Sequence, residues 1–386
     1  MQPRPFRISV PSDAISDLAG RLRSARWPDQ PEDVRWEHGA DLAYLREFVR
    51  YWRDEFDWRS AERHLNEFPH FITETGGQQI HFIHARAKHG RKVPLIITHG
   101  WPGSFFEMTK LIPLLTGDGP RRGGQDDLTF DVVVPSLPGY GFSARPKRTG
   151  MHLAAIAGLW AELMSQLGYR RFVAQGGDLG AAVAISLGFR FPDRVAGIHL
   201  NFVPSSYQPP TDAAGPGLDD EEKAYLARRA AWADAEGGYA HIQGTKPQSL
   251  GCALNDSPIG LAAWFVEKFR LWSDCGGQVE SVFTKDELLA NLSIYWFTET
   301  ITSSFRLYRE TREHPLRFAS ADRITAPTAV AHFPKEVWMP PRRWLERVFV
   351  DVRRWTSMPR GGHFAAFEQP RLLADDLRAF AATLAE

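Results

Sequence analysis

The residues best suited to covalent chemistry stand in the segment 175–180, which reads QGGDLG. An apolar run precedes it and a helix-like run follows it, which predicts a strand, a tight turn and a helix. Asp178 occupies the place where many enzymes with this turn carry a nucleophilic serine. A carboxylate there attacks an electrophilic alkyl carbon and leaves an alkyl ester on the protein. We expect the helix to begin at Leu179, so that its dipole keeps the carboxylate ionised.

Further segments with catalytic residue types follow other predicted strands. Segment 99–104 (HGWPGS) follows an apolar run, and segment 360–364 (RGGHF) follows the last predicted strand. Glu336 follows the predicted strand 327–333 after Pro334 and Lys335, so it reaches the same sheet edge as His363, the histidine of the second segment. Asp351 is the rival acid, but we place it inside the last strand. These spacings predict a carboxylate nucleophile, a histidine base and an acid that orients it.

Apolar strands that alternate with helices must position these residues. The pattern predicts an α/β protein, with a mostly parallel sheet covered on both faces. A helical, aromatic and charged block interrupts it after the strand 195–203, and we interpret this block as a lid over the sheet edge where ligands bind. The predicted strands are 79–85, 94–98, 130–135, 171–175, 195–203, 327–333 and 348–352, and the predicted core helices are 107–115, 153–167 and 181–191.

The domain organisation follows from the same changes of pattern. We expect a helical N-terminal extension, a sheet core in two parts and the lid between them. The boundaries are 1–75 for the extension, 76–204 for the first part of the core, 205–316 for the lid and 317–386 for the second part.

Composition narrows the function classes. The chain has 386 residues, with 46 basic and 46 acidic side chains, so no charge excess favours nucleic acid or an anionic membrane as a partner. Two cysteines, Cys252 and Cys275, argue against a disulfide framework and favour a reducing, cytoplasmic location. No signal peptide and no transmembrane stretch is expected.

Taken together, the motifs resemble the epoxide hydrolase branch of the α/β-hydrolase superfamily, above all its microsomal and juvenile-hormone type. The resemblance covers nearly the whole chain, and its most specific part lies in the lid. The matching segments are 56–59 (FDWR), 65–69 (LNEFP), 99–104 (HGWPGS), 135–143 (PSLPGYGFS), 238–243 (GYAHIQ), 245–247 (TKP), 254–258 (LNDSP) and 362–366 (GHFAA).

The resemblance implies an α/β-hydrolase fold and a role for each site residue. The backbone N–H groups of Trp101 and Leu179 would form an oxyanion hole. The family's two lid tyrosines fall on Tyr239 and Tyr308, which would donate hydrogen bonds to the epoxide oxygen. Tyr295 is the main competitor for that role. Many family members carry Trp where this chain has Leu179, so we expect a roomier pocket floor here.

The expected reaction opens an epoxide on Asp178 and then hydrolyses the ester with water activated by His363 and Glu336. Asn201, where some relatives place the acid, is neutral here. We expect no metal and no organic cofactor. The substrate would be a small hydrophobic epoxide, aromatic ones included, in detoxification or secondary metabolite biosynthesis.

Two rival functions and the assembly of the protein stay open at this stage. A haloalkane or haloacid dehalogenase would use the same nucleophile, and a non-catalytic ligand receptor would share the fold. Membrane-bound relatives carry an N-terminal anchor and this sequence begins with the extension, so we expect a soluble protein without a membrane anchor. A homodimer is one option for its oligomeric state.

Overall fold

A computed structural model describes residues 2–117, 128–211 and 217–384 of the chain. In these residues the strands form one nine-stranded and one two-stranded sheet. In chain order the strands are β1 (Arg4–Pro5), β2 (His70–Thr75), β3 (Gln78–Ala85), β4 (Arg91–Thr98), β5 (Leu128–Pro135), β6 (Phe172–Gly176), β7 (Val195–Leu200), β8 (Tyr207–Gln208), β9 (Leu316–Arg317), β10 (Thr328–His332) and β11 (Val352–Ser357).

The large sheet has the strand order β1-β2-β3-β5-β4-β6-β7-β10-β11. The pairings among β1, β2, β3 and β5 are antiparallel. From β5 to β11 the strands run parallel, and the central strand β6 is buried along its whole length, as a sheet covered on both faces requires. Parallel strands place their carboxyl ends at one edge. The loops after β4, β6, β10 and β11 therefore meet there, which is the expected place for a site.

Fifteen α-helices in the described residues surround or extend the sheet. Among them α4, α6 and α15 pack on its strands. No helix in this part of the chain combines the length and apolar character needed to cross a membrane. The helices are α1 (Ser12–Arg23), α2 (Leu42–Asp54), α3 (Trp58–Leu65), α4 (Ile112–Thr116), α5 (Leu153–Gln166), α6 (Asp178–Arg190), α7 (Asp220–Glu236), α8 (Gly238–Thr245), α9 (Pro247–Asp256), α10 (Pro258–Trp272), α11 (Lys285–Thr298), α12 (Ile301–Glu313), α13 (Arg342–Glu346), α14 (Ala365–Glu368) and α15 (Pro370–Ala382).

Helices α7 to α12 form an insert between β7 and β10, as the sequence predicts. The short parallel pair β8–β9 joins the two ends of the insert, so both ends start from one place at the sheet edge. Within it, α12 packs against α8 and α9. The N-terminal helices α1 and α2 pack on α10, and α3 packs on α11, where Trp58 contacts Phe297 at a ring distance of 4.8 Å. The extension therefore supports the insert.

The α/β fold with its helical extension and insert is confirmed, but several predicted elements are wrong in detail. The predicted helix 107–115 is a 3₁₀ turn (Phe105–Met108) followed by the short α4. The extension also contributes β1 and β2 to the sheet. The last strand is Val352–Ser357 rather than 348–352, so Asp351 precedes it. Asp351 then lies at the amino end of the strand, where its carboxylate pairs with Arg353.

Candidate active site

Asp178 lies in a strained turn after β6 and is the first residue of α6, one residue before the predicted start of this helix. Its φ of 47° is in the left-handed region, which costs a residue with a side chain about 1–2 kcal/mol. Glycines make the turn possible, because a Cβ on Gly180 would lie 1.9 Å from the carbonyl oxygen of Thr98. A Cβ on Gly176 would lie 2.2 Å from the backbone of Gly180. The close approach of strand and helix projects the carboxylate over the sheet edge, at the positive end of the α6 dipole.

Both oxygens of the Asp178 carboxylate have a neighbour from another loop. The Trp101 N–H donates to Oδ1 over 2.9 Å. His363 Nε2 lies 3.3 Å from Oδ2. The next residue, Leu179, is in the first turn of α6, where backbone N–H groups have no partner within the helix. Its N–H and that of Trp101 are the donors that the sequence predicts for an oxyanion hole.

His363 is held on its other side by Glu336, which lies in the loop after β10. Its Nδ1 is 2.6 Å from Glu336 Oε1, and the side chain of Glu336 is fully buried. The Val337 N–H also donates to Oε1 over 2.8 Å. The backbone N–H of His363 donates to the carbonyl oxygen of Trp272 over 2.9 Å, so the histidine loop is tied to the insert. Asp178, His363 and Glu336 thus form a continuous chain of contacts.

The charges around His363 favour the protonated form of its imidazole. Burial by itself would lower the pKa of the His363 imidazole. The charge of Glu336, the hydrogen bonds with Asp178 and Glu336 and the charge of Asp178 together outweigh burial and raise that pKa well above its ordinary value. The contacts with the two carboxylates therefore favour the protonated form of His363.

Two tyrosines of the insert face Asp178 across a cavity of about 520 Å³, which Leu179 also lines. Tyr239 comes from α8 and Tyr308 from α12, and their rings are 5.8 Å apart at 78°. The indole of Trp101 stacks on Tyr239 at 5.4 Å. Burial raises the pKa of both phenols, so each stays protonated at neutral pH and can donate a hydrogen bond into the cavity.

Tyr295, the competitor named from the sequence, and His99, in the loop after β4, have different surroundings. The hydroxyl of Tyr295 donates to the carbonyl oxygen of Gly103 over 2.6 Å, and Tyr295 does not line the large cavity. Burial lowers the pKa of His99 to about 4, so it is neutral. Its ring lies between the Gly100 carbonyl and the Leu137 N–H at 3.0 and 3.1 Å. Both residues therefore hold the loops around the site.

Sequence reasoning missed three residues at the site. Trp272, at the end of α10, has its ring 5.3 Å from His363 and 5.0 Å from Tyr239. Trp338, just after Glu336, lines the large cavity. Glu107 is a buried carboxyl group beside Asp178 and His363 in a second, smaller cavity. In the sequence, the sign that Glu107 belongs to the site is its charge inside the otherwise apolar run 105–108.

One group in the described part of the chain has the composition of a metal site. Glu310, Glu313 and His314 place ligand atoms within 4.8 Å of one another at the end of α12. Glu313 already pairs with Arg309, and two of the three residues are exposed. This group lies outside the chain of contacts around Asp178, so it has no part in the chemistry of that site.

Comparisons with known proteins agree with this geometry. A family model described as "Epoxide hydrolase N terminus" matches residues 3–108, and one for the alpha/beta hydrolase fold matches residues 93–235. A Stigmatella aurantiaca protein is 46% identical over 97% of this chain and 83% of its own length. Epoxide hydrolase 1 of Sus scrofa is 40% identical over 98% of this chain and 88% of its own.

Solved structures extend the similarity to the whole fold. The crystal structure of juvenile hormone epoxide hydrolase from the silkworm Bombyx mori superposes with a TM-score of 0.85 at 31% identity, covering 99% of this chain and 94% of that one. The structure of Aspergillus niger epoxide hydrolase gives a TM-score of 0.84 at 32% identity, covering 100% and 97%. On this similarity in sequence and fold, the chain belongs to the epoxide hydrolase family of the α/β-hydrolase fold.

Proposed function

We propose that this enzyme hydrolyses an epoxide to a vicinal diol through a covalent alkyl ester on Asp178. The observation that carries the proposal is that one cavity is lined by the Asp178 carboxylate and by two protonated phenols, those of Tyr239 and Tyr308. An epoxide needs a nucleophile at carbon and a proton donor at oxygen at the same time. A dehalogenase would need donors to a halide instead, and a tyrosine pair serves an alkoxide better.

In the first half-reaction, Tyr239 and Tyr308 donate hydrogen bonds to the epoxide oxygen. An oxygen of Asp178 attacks one ring carbon, the ring carbon–oxygen bond breaks, and the released oxygen takes a proton from a tyrosine. The product is a hydroxyalkyl ester of Asp178. The strained turn at Asp178 supports this role, because it holds the carboxylate at a fixed position in front of the tyrosines.

In the second half-reaction, His363 removes a proton from the water that attacks the ester. Esterification removes the negative charge of Asp178, which is one of the causes that raise the pKa of His363. The pKa therefore falls when the ester forms, and the imidazolium releases its proton, which restores the tyrosine that gave its proton to the opened epoxide. The neutral imidazole is then a base at the step that needs one. Glu336 orients the ring, and the N–H groups of Trp101 and Leu179 stabilise the developing oxyanion.

We propose that the preferred epoxides are hydrophobic, aromatic ones included, and that residues 205–316 act as a lid over them. The wall of the large cavity carries apolar and aromatic side chains, among them Leu179, Phe202, Trp232 and Trp338. Such a wall favours an apolar substrate because binding buries its surface. A cytoplasmic location is proposed on the two free thiols, of which Cys252 is exposed.

Replacement of the base tests the proposed route. His363→Gln removes the proton acceptor of the second half-reaction and leaves Asp178 and the tyrosines in place. With an epoxide such as styrene oxide, the variant gains the mass of one epoxide on the peptide that contains Asp178, and diol formation stops after the first turnover. Steady turnover by the variant at the wild-type rate, or no adduct on Asp178, would overturn the assignment.

A further inference from the structure

Asp178 separates two cavities that share no other lining residue among the residues described. The wide one, of about 520 Å³, contains the tyrosines and is large enough for a substrate. The other is a small space of about 20 Å³ between Asp178, His363 and Glu107. An epoxide approaches Asp178 from the wide side, so the small cavity serves something else.

The small cavity has the size and polarity of a site for one water molecule. A water needs roughly 10–15 Å³ of this kind of volume and two to four polar partners. The wall supplies the carboxylate of Asp178, the imidazole of His363 and the carboxyl group of Glu107, beside apolar groups such as Phe364. The volume of about 20 Å³ leaves no room for an organic ligand.

Glu107 is the residue in this wall whose presence the epoxide chemistry leaves unexplained. It is 7% exposed, and no ion pair is found for it among the described residues. Its carboxyl group lies against Gly103, where a Cβ would be 1.4 Å from Oε1, and it accepts the Ser104 N–H. Burial, with a smaller contribution from Asp178, raises its pKa to about 8 although His363 opposes the shift. At neutral pH it is thus mostly a neutral acid, which adds no second negative charge beside Asp178.

We propose that the small cavity holds the hydrolytic water of the ester intermediate and that Glu107 orients this water. The proposal rests on the proposed function. One hydrogen of the water goes to His363 Nε2, and the other is accepted by the carbonyl oxygen of Glu107. The water oxygen then bonds to Cγ of Asp178, and the bond from Cγ to the alkyl oxygen breaks. His363 returns the proton to the departing alkoxide, which releases the diol. Asp178 then carries the second hydrogen of the water as a carboxylic acid, and transfer of this proton to His363 restores the carboxylate and the charged imidazole.

Two substitutions at Glu107 test this assignment through the two half-reactions. Glu107→Leu removes the hydrogen-bond acceptor, and Glu107→Gln keeps a neutral carbonyl oxygen at the same reach. In rapid-quench experiments with excess styrene oxide, Glu107→Leu forms the ester at the wild-type rate. It hydrolyses the ester about 10²-fold more slowly, since a misplaced water loses the attack geometry. The ester accumulates in that variant, and Glu107→Gln restores hydrolysis to within a few-fold of wild type.

A purely structural role of Glu107 would give a different result. If Glu107 only supports the turn at Gly103, its replacement shifts the Trp101 N–H and both half-reactions slow together, which overturns the proposal. Unchanged ester hydrolysis in Glu107→Leu overturns the proposal as well. Glu62→Leu is the matched control, because it removes a buried carboxyl group from α3 and is expected to reduce stability without trapping ester. If wild type forms no ester at all, the proposed function itself fails, and that outcome is distinct from both others.

Discussion

The tyrosine pair gives the sharpest prediction about the first half-reaction. Tyr308→Phe removes one hydroxyl group and keeps the ring, so its contacts with Trp101 at 5.8 Å and with Tyr239 at 5.8 Å are retained. What is lost is one of two donors to the oxygen that becomes an alkoxide. Tyr239 remains as the second donor, because burial also keeps its phenol protonated.

The magnitude follows from where the charge develops. A donor to a developing oxyanion in a water-excluded site contributes about 2.7–4 kcal/mol, which corresponds to roughly 10²–10³ in rate. Tyr239 is buried and Tyr308 is partly buried, and a substrate bound in the cavity that both line excludes water from the place of the missing donor. We therefore expect ester formation in Tyr308→Phe to slow by about 10²–10³-fold. Hydrolysis of the ester changes little, because that step uses His363 and not the tyrosines.

Stopped-flow and rapid-quench measurements separate these two rates, and Trp101 beside Tyr239 offers an intrinsic fluorescence signal. Tyr295→Phe is the matched control, since its hydroxyl group donates to the Gly103 carbonyl and not into the large cavity. Equal ester formation in Tyr308→Phe and wild type would refute the reasoning. Slower ester hydrolysis with an unchanged alkylation rate would refute it too, because the tyrosine would then act in the wrong step.

Two further predictions concern stability. Gly180→Ala places a Cβ 1.9 Å from the backbone oxygen of Thr98, so we expect the free energy of unfolding to fall by about 1–3 kcal/mol or more. Gly158→Ala is the control, because its Cβ would meet no atom within 4 Å, and we expect it to raise the free energy of unfolding by about 0.5–1 kcal/mol. Denaturant unfolding of both variants measures the two changes. Burial lowers the pKa of His81 well below its ordinary value, so the unfolded chain binds a proton that the folded one does not. Stability should therefore fall as the pH drops below about 6.5, and His81→Phe should make that slope shallower; an unchanged slope would exclude His81 as the cause.

The sequence was sufficient to predict that Asp178, Glu336 and His363 lie close together, because all three stand where parallel strands end. Asp178, Glu336 and His363 each follow a strand of the sheet, so predicting the strands already brings the three residues together. Tyr239 and Tyr308 could not be placed in that way. They come from separate helices of the insert, and only a resemblance in motif indicated that both face the nucleophile.

The last strand shows where pattern reasoning fails. The apolar residues Val348 and Phe349 are buried at 0% and 1% exposure, but Val348 lies in a turn and Phe349 forms only an isolated bridge with Ile324. The true strand, Val352–Ser357, is an edge strand with partly exposed positions, and it includes two arginines. An edge strand needs fewer apolar residues than a central one, so the prediction was displaced toward the buried turn.

The residues that sequence reasoning missed share a different cause. Trp272 contacts His363 although 91 positions separate them, because α10 of the insert ends over the histidine loop. The sequence places Glu107 in a predicted helix, where a charged side chain ordinarily faces solvent. The observed 3₁₀ turn instead directs the Glu107 side chain inward beside Gly103. Contacts of this kind depend on how the insert and the loops pack, and periodicity carries no information about that.

The central claim is that the oxygen added to the substrate comes from Asp178 and is replaced there by water. A single turnover in ¹⁸O-labelled water, with enzyme in excess over epoxide, tests it most directly. Mass spectrometry of the diol and of the peptide containing Asp178 should find the label in the carboxylate and none in the first diol formed. Label in the diol after one turnover, with an unlabelled Asp178, would show that water attacks the epoxide directly and would contradict the account.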